Sequence, residues 1–229
     1  MSAAYHQPVL VQEVCATLLP PLLHARAPVF VDCTTGGAGH TSALMHAVAA
    51  QRPADAIPPR FIGLDRDPAA LAFARARLET NPFPIELIHA PFSELARVLD
   101  AAGAPQVTAI LADLGVSSHQ LDTADRGFSF QADAPLDMRM DPTRGPTLAE
   151  RLTDLDAGTL TRILRDYGEE PDAARIARGI VAARPQTTRE LGDVVRASMS
   201  GPRLRQIGLR IHPATRTFQA LRIFLNGEL

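Results

Sequence analysis

The sequence predicts an α/β fold, a parallel sheet with helices on both faces, interrupted late in the chain by an all-helical domain. Three observations predict it. Four short apolar runs alternate with helical stretches over residues 1–123, and each run delivers polar groups at its C-terminal end. Near residue 124 that rhythm stops, and segments of helical periodicity follow to about residue 211. At 229 residues, 46% hydrophobic and 21% charged, the chain can bury a sizeable core and form one large domain or a domain with an insertion. The resulting division is 1–123 for the first part of the sheet domain, 124–211 for the helical insertion and 212–229 for the return to the sheet domain.

Residues 9–23 place apolar side chains at helical spacing around Gln12 and Glu13. They predict a helix that ends in the Pro20-Pro21 region and covers a sheet edge or roofs a pocket. Residues 29–40, VFVDCTTGGAGH, read as a buried strand running into a tight turn and a helix start. Glycine has no Cβ, so Gly36, Gly37 and Gly39 admit positive φ and let a ligand press against the backbone. A helix that follows points free N–H groups into the same space. Taken alone, the stretch suits a nucleotide-like cofactor and an ordinary turn equally.

Residues 40–50 are helical until Pro53, Pro58 and Pro59 interrupt. FIGLDRDP, residues 61–68, repeats the grammar of a strand ending in acids, with Asp67 placed to cap the helix that Pro68 begins. A third strand, IELIHA (85–90), precedes a helix with Ser93 as its candidate cap. A fourth strand lies within VTAILADLG (107–115).

Ligands of such sheets bind beyond the carboxyl ends of the strands, where strand order reverses. Asp32, Asp65, His89 with Phe92, and Asp113 all fall at that edge. An acid after the second strand suits a ribose, because one carboxylate accepts from two adjacent hydroxyls. Asp65 is the candidate. The glycine pattern breaks at Ser42 for a nicotinamide site, and a P-loop needs a lysine that this chain does not have. S-adenosylmethionine, with a ribose and an adenine but no phosphate, fits better.

Other classes recede. No apolar run reaches the roughly 18 residues of a membrane helix, and the N-terminus carries no signal-peptide pattern, so cytoplasm is the expected compartment. Cys15 and Cys33 are too few for a zinc set, and His119 and His212 have no ligand spacing, so no metal is expected. All 23 basic residues are arginine. Residues 1–125 hold 7 of them against 12 acids, and residues 126–222 hold 16 against 12. A polyanion would dock on the second half.

DLGVSSHQLD (113–122), DRGFSF (125–130), PLDMRMDP (135–142), YGEE (167–170) and HPATRTFQALRI (212–223), with HQPVL (6–10) before them, together resemble the bacterial ribosomal RNA small-subunit methyltransferase H family. The resemblance runs from His6 to Leu229. It implies a Rossmann-like class I S-adenosylmethionine-dependent methyltransferase sheet with an inserted helical domain. It also implies methylation of the exocyclic N4 of a cytosine in the decoding region of 16S rRNA, with that RNA or the small ribosomal subunit as partner. Oligomeric state stays open, a homodimer included.

The family's cofactor contacts fall on Ala38, Gly39, His40, Asp65, Phe92, Asp113 and Gln120. The resemblance gives Asp65 the ribose, Phe92 the adenine, and Asp113 and Gln120 the amino-acid end beside the transfer site. Asp113 is also the candidate anchor for the acceptor amino group, the one catalytic assignment. Phe128 or Phe130 would stack on the base. Arg126, Arg139, Arg144, His212 and Arg216 are the RNA-contact candidates. The family continues with further strands where this sequence stops at Leu229, so the reading expects a sheet incomplete at the C-terminus. A truncated, non-catalytic S-adenosylmethionine- or RNA-binding protein on the same fold stays open beside the enzyme.

Overall fold

The computed structural model describes residues 8–207 and 212–229. His6 and Gln7 of the N-terminal signature, and Arg210 near the end of the insertion, lie outside the described residues. The chain divides into two compact units at Ser117 and Ser118.

The first unit opens with α1, Val11–His24, which runs through Pro20 and Pro21 instead of ending there. Two features oppose the break. Leu22 is fully buried, and the Arg52 guanidinium donates to the carbonyls of Leu22, Leu23, Ala25 and Arg26 at 2.8–3.2 Å. One side chain thus satisfies the backbone acceptors that a helix end leaves over. Then follow β1, Val29–Asp32; α2, Gly39–Gln51; β2, Arg60–Asp65; α3, Pro68–Leu78; β3, Ile85–His89; α4, Leu95–Ala101; and β4, Ala109–Leu111. The four strands are all parallel in the order β3-β2-β1-β4.

Alternation along the strands builds two apolar layers. Phe30 and Phe61 pack on one face with Leu44, Met45 and Val48 of α2 and with Ala74 and Leu78 of α3. Val31, Ile62 and Leu64 pack on the other with Val98 of α4. Asp67 caps α3 by accepting from Ala69 N–H at 3.0 Å, as the sequence predicts. Ser93 caps nothing: residues 92–94 form a single 3₁₀ turn that leads into α4, with Glu94 at the cap position.

The second unit holds α5, Ser118–Asp122; α6, Leu148–Thr153; α7, Ala157–Gly168; α8, Ala173–Ala183; α9, Thr188–Ser198; α10, Gly201–Ile207; and α11, Thr215–Asn226. Capping boxes Thr147–Glu150 and Thr187–Glu190 start α6 and α9, and Asp156 caps α7. The helix expected to return to the sheet packs here on α7, and the unit begins at Ser118 where the sequence suggests residue 124. Gly168 permits the α7–α11 contact, since a Cβ there would lie 2.6 Å from the Arg216 carbonyl oxygen.

The segment before α6 reads as a polar loop, yet Leu136, Met138 and Met140 are buried at alternate positions. Asn226 of α11 binds it from below. Its Oδ1 accepts from Met140 N–H at 2.7 Å and its Nδ2 donates to Met138 O at 2.9 Å.

Candidate functional site

Where β1 ends, the chain splays between its two neighbours. Cys33 N–H donates to Leu111 O on β4 and Thr35 N–H to Leu64 O on β2, at 2.8 and 2.9 Å. This is the point where strand order reverses, and the glycine loop leaves from it. Gly36 takes φ +50° and Ala38 φ +56°, so the turn uses left-handed backbone twice, once at a residue that carries a Cβ. Gly63 of β2 makes room for the loop, because a Cβ there would lie 2.6 Å from Thr35 Oγ1. A Cβ on Gly39 would strike the Pro8 ring, so the segment before α1 covers that face of the loop.

Two acids hold this geometry. Asp32, almost fully buried, accepts from Thr41 Oγ1 at 2.5 Å and from Thr34 N–H at 3.1 Å, tying β1 to both the loop and α2. Burial pushes its carboxyl up to about 6, against the pull of those hydrogen bonds and of His40, with Asp65 adding to the rise. Asp65, at the end of β2, accepts from Gly36 N–H with Oδ2 at 2.7 Å and from Asp67 N–H with Oδ1 at 2.8 Å. Burial raises its pKa as well, and the N–H donors oppose the rise. Arg66 N–H also hydrogen-bonds this carboxylate, so three backbone N–H groups hold it at the end of β2.

Phe92 stands just after β3 with 40% of its surface exposed, an apolar ring left at the ligand edge. Asp113 stands after β4. Its backbone N–H donates to Thr34 Oγ1 at 2.7 Å, and its carboxylate, half exposed, lies 4.0 Å from Nδ1 of His40. His40 is itself 8% exposed, with Nε2 2.7 Å from Val9 O. The structure therefore brings Ala38, Gly39, His40, Asp65 and Asp113 around one strand edge in the first unit. Gln120 belongs to the second unit, buried on α5.

In that second unit the arginine candidates differ in availability. Arg139 forks onto Asp137 at 2.7–2.8 Å and also donates to Gly145 O. Arg126 donates to the carbonyls of Arg139 and Met140. Arg216 holds the Glu169 carbonyl at the end of α7. Arg144 keeps a side chain 63% exposed, in a loose ion pair with Asp141 at 3.5 Å. Phe128 is buried beneath Arg126, and the Phe130 ring is stacked on His212 at 4.0 Å between centroids. Phe128 offers no free face for a base, and one face of Phe130 is taken by His212.

The family model that matches this chain describes the MraW methylase family and covers residues 3–229. The chain belongs to the MraW methylase family. It is similar to the ribosomal RNA small subunit methyltransferase H of Frankia casuarinae, 50% identical over 93% of this chain and 64% of that one. The protein of the same name from Parafrankia is 47% identical over 98% of this chain and 66% of its own length. The one from Streptomyces avermitilis is 45% identical over all of this chain and 70% of its own. The chain thus spans about two thirds of the length of the curated relatives it matches.

For a MraW-family chain, the sequence reading omits the residues that shape the site without facing it. Asp32 was visible as a strand-end acid, but its bond to Thr41 is made across nine residues. Arg77 of α3 donates to Gly37 O at 3.1 Å from forty residues away, and no local signal marks it.

Proposed function

We propose that the protein transfers a methyl group from S-adenosylmethionine to the exocyclic N4 of a cytosine in the decoding region of 16S rRNA. The observation that carries the reading is the Asp65 carboxylate. It stands at the C-terminal end of β2, the ligand edge of the sheet, anchored to the glycine loop by Gly36 N–H and oriented by the N–H groups of Arg66 and Asp67. Family membership supports the reaction class.

S-adenosylmethionine brings an electrophilic methyl group, so the protein's work is placement. Asp65 accepts from the two ribose hydroxyls, and the exposed ring of Phe92 packs on the adenine. The backbone of Ala38 and Gly39 lines the methionine part. The acceptor nitrogen is a poor nucleophile, because its lone pair is delocalised into the pyrimidine ring. Alignment alone supplies up to roughly 7–11 kcal/mol in ideal cases. Asp113 anchors the amino group and orients its lone pair to the methyl. A base within folded RNA has to be splayed out to reach that point. Arg144 reaches phosphate directly, while Arg126, Arg139, Arg216 and His212 set the shape of the surface that receives the RNA.

Calorimetry with S-adenosylmethionine tests the cofactor half. Asp65→Ala should weaken binding at least about 10-fold, a loss expected when charge-assisted hydrogen bonds disappear. Unchanged affinity would remove the ribose assignment. Transfer of a labelled methyl group to small-subunit particles, with a full-length relative as control, tests the rest. Cofactor binding without transfer would favour the non-catalytic reading.

A further inference from the structure

The inference concerns His40 and rests on the methyl-transfer reading above. His40 Nε2 lies 2.7 Å from the carbonyl oxygen of Val9. A carbonyl only accepts, so Nε2 must carry hydrogen, whether the ring is neutral or charged. Nδ1 is then the nitrogen that gains and loses a proton. It faces the Asp113 carboxylate at 4.0 Å. Neither partner is free to drift. The ring is buried at the start of α2, and the backbone of Asp113 is pinned through Thr34 Oγ1. Asp113 alone of the two reaches solvent, with 51% of its side chain exposed.

We propose that His40 takes up, at Nδ1, the proton that methyl transfer releases onto the carboxylate of Asp113, and holds it until solvent collects it. The amino nitrogen's lone pair forms the new N–C bond. The sulfur–methyl bond breaks, and its electron pair remains on sulfur, which becomes a neutral thioether. The nitrogen, left cationic, loses one proton to the Asp113 carboxylate, and that proton moves on to Nδ1. The ring is then an imidazolium that still donates from Nε2 to Val9 O and pairs with the restored carboxylate. Water at the exposed side of Asp113 collects the proton afterwards.

The relay has a chemical reason. In water an imidazole holds a proton about 2–3 pK units more tightly than a carboxylate does. A separation of 4.0 Å exceeds a hydrogen bond, and such contacts tighten once the acceptor is seated. Among the described residues, the charged groups that face this ring are Asp113 beyond β4 and Asp32 on β1, the latter through its field. On the packed helix α1, Glu13 and His24 are exposed.

Two measurements decide it. In the cofactor-free protein, two-bond proton–nitrogen NMR of the seven histidines, with His40 assigned by its loss in a variant, should show the neutral ring of His40 carrying its hydrogen on Nε2. The opposite tautomer overturns the proposal. His40→Gln keeps a donor for Val9 O and removes the base. Single-turnover transfer in this variant should fall about 100-fold or more, the usual scale of general-base loss. The fall should persist at saturating cofactor, whatever the variant's affinity, and the decline in rate toward acid pH should flatten. A His40→Gln protein with native rate and native pH profile overturns the proposal. If the native chain binds cofactor and methylates no ribosomal RNA, the functional reading fails instead, and the tautomer still shows whether Nδ1 is the free base.

Discussion

In the sheet unit, burial lifts the pKa of Asp32 and Asp65, whereas in the helical unit three acids are held below their ordinary values. Burial opposes ionisation of Asp137 too, but the side-chain and backbone hydrogen bonds from Arg139, with the charges of Arg139 and Arg126, overcome it. Glu150 and Asp156 are lowered by the N–H and hydroxyl donors of the caps they form, at Thr147 and Thr159. Glu170 departs from its neighbours: burial raises it, and its Oε2 has no hydrogen-bond partner. These three acids of the helical unit serve its own loops and caps, while the sheet unit holds two desolvated carboxylates at the C-terminal ends of β1 and β2. Retaining such groups against folding stability is what a binding site requires.

The sharpest way to separate the units is Asn226→Ala. It removes three hydrogen bonds, the acceptor for Met140 N–H and the donors to Met138 O and Arg222 O, the first two of them buried. The helical unit should lose about 3 kcal/mol. Hydrogen exchange should show the loss there while the protection of β1 and β2 stays native; equal loss in both units would end the comparison.

The pH dependence should run in opposite directions. The folded pKa of Asp32 is raised above its unfolded value, so its contribution to stability is fully present below pH 3.8 and is lost as pH rises toward about 6. The difference amounts to on the order of 3 kcal/mol. Asp137 is lowered, so its contribution is present above the ordinary carboxylate range and is lost as pH falls. Urea unfolding followed residue by residue should show the sheet unit gaining stability as pH falls from about 7 to 4, and the helical unit losing it as pH falls further, below the ordinary carboxylate range. Asp32→Asn should reduce the first slope to the share that Asp65 supplies and leave the second unchanged. A first slope undiminished in Asp32→Asn would locate its cause elsewhere.

A smaller effect is expected at a cap. Thr187→Ala removes the acceptor for Glu190 N–H and should cost the helical unit about 1 kcal/mol, read as a lower urea midpoint at unchanged slope. No change would mean that the bridge between Pro135 and Thr187 already fixes the start of α9.

Much of the fold was legible because its signals are local. Strand–helix alternation, the Asp67 cap and the amphipathic α7, α8 and α9 each lie within a dozen residues. Ser93 was misread because a Ser before an apolar run is a cap only when the backbone enters the helix there, and residues 92–94 wind a 3₁₀ turn first. The alternation of Leu136, Met138 and Met140 was present in PLDMRMDP, but the prolines and charges around it suggested a loop. At the site, Asp65, Phe92 and Asp113 could be named from their places after strands. What Asp65 binds, and what stands beside Asp113, could not.

By itself, then, the sequence determined the element types, the parallel sheet and the family, since periodicity, turn residues and motif order are properties of the chain read along its length. Tertiary structure alone decided that α1 continues through two prolines, that α11 packs on α7, and that Asp32 closes on Thr41. It also decided that Val9 fixes the proton on one nitrogen of His40, which leaves the other facing Asp113. Each of these depends on a partner distant in sequence, and the energy of a hydrogen bond or a buried contact depends on distance in space.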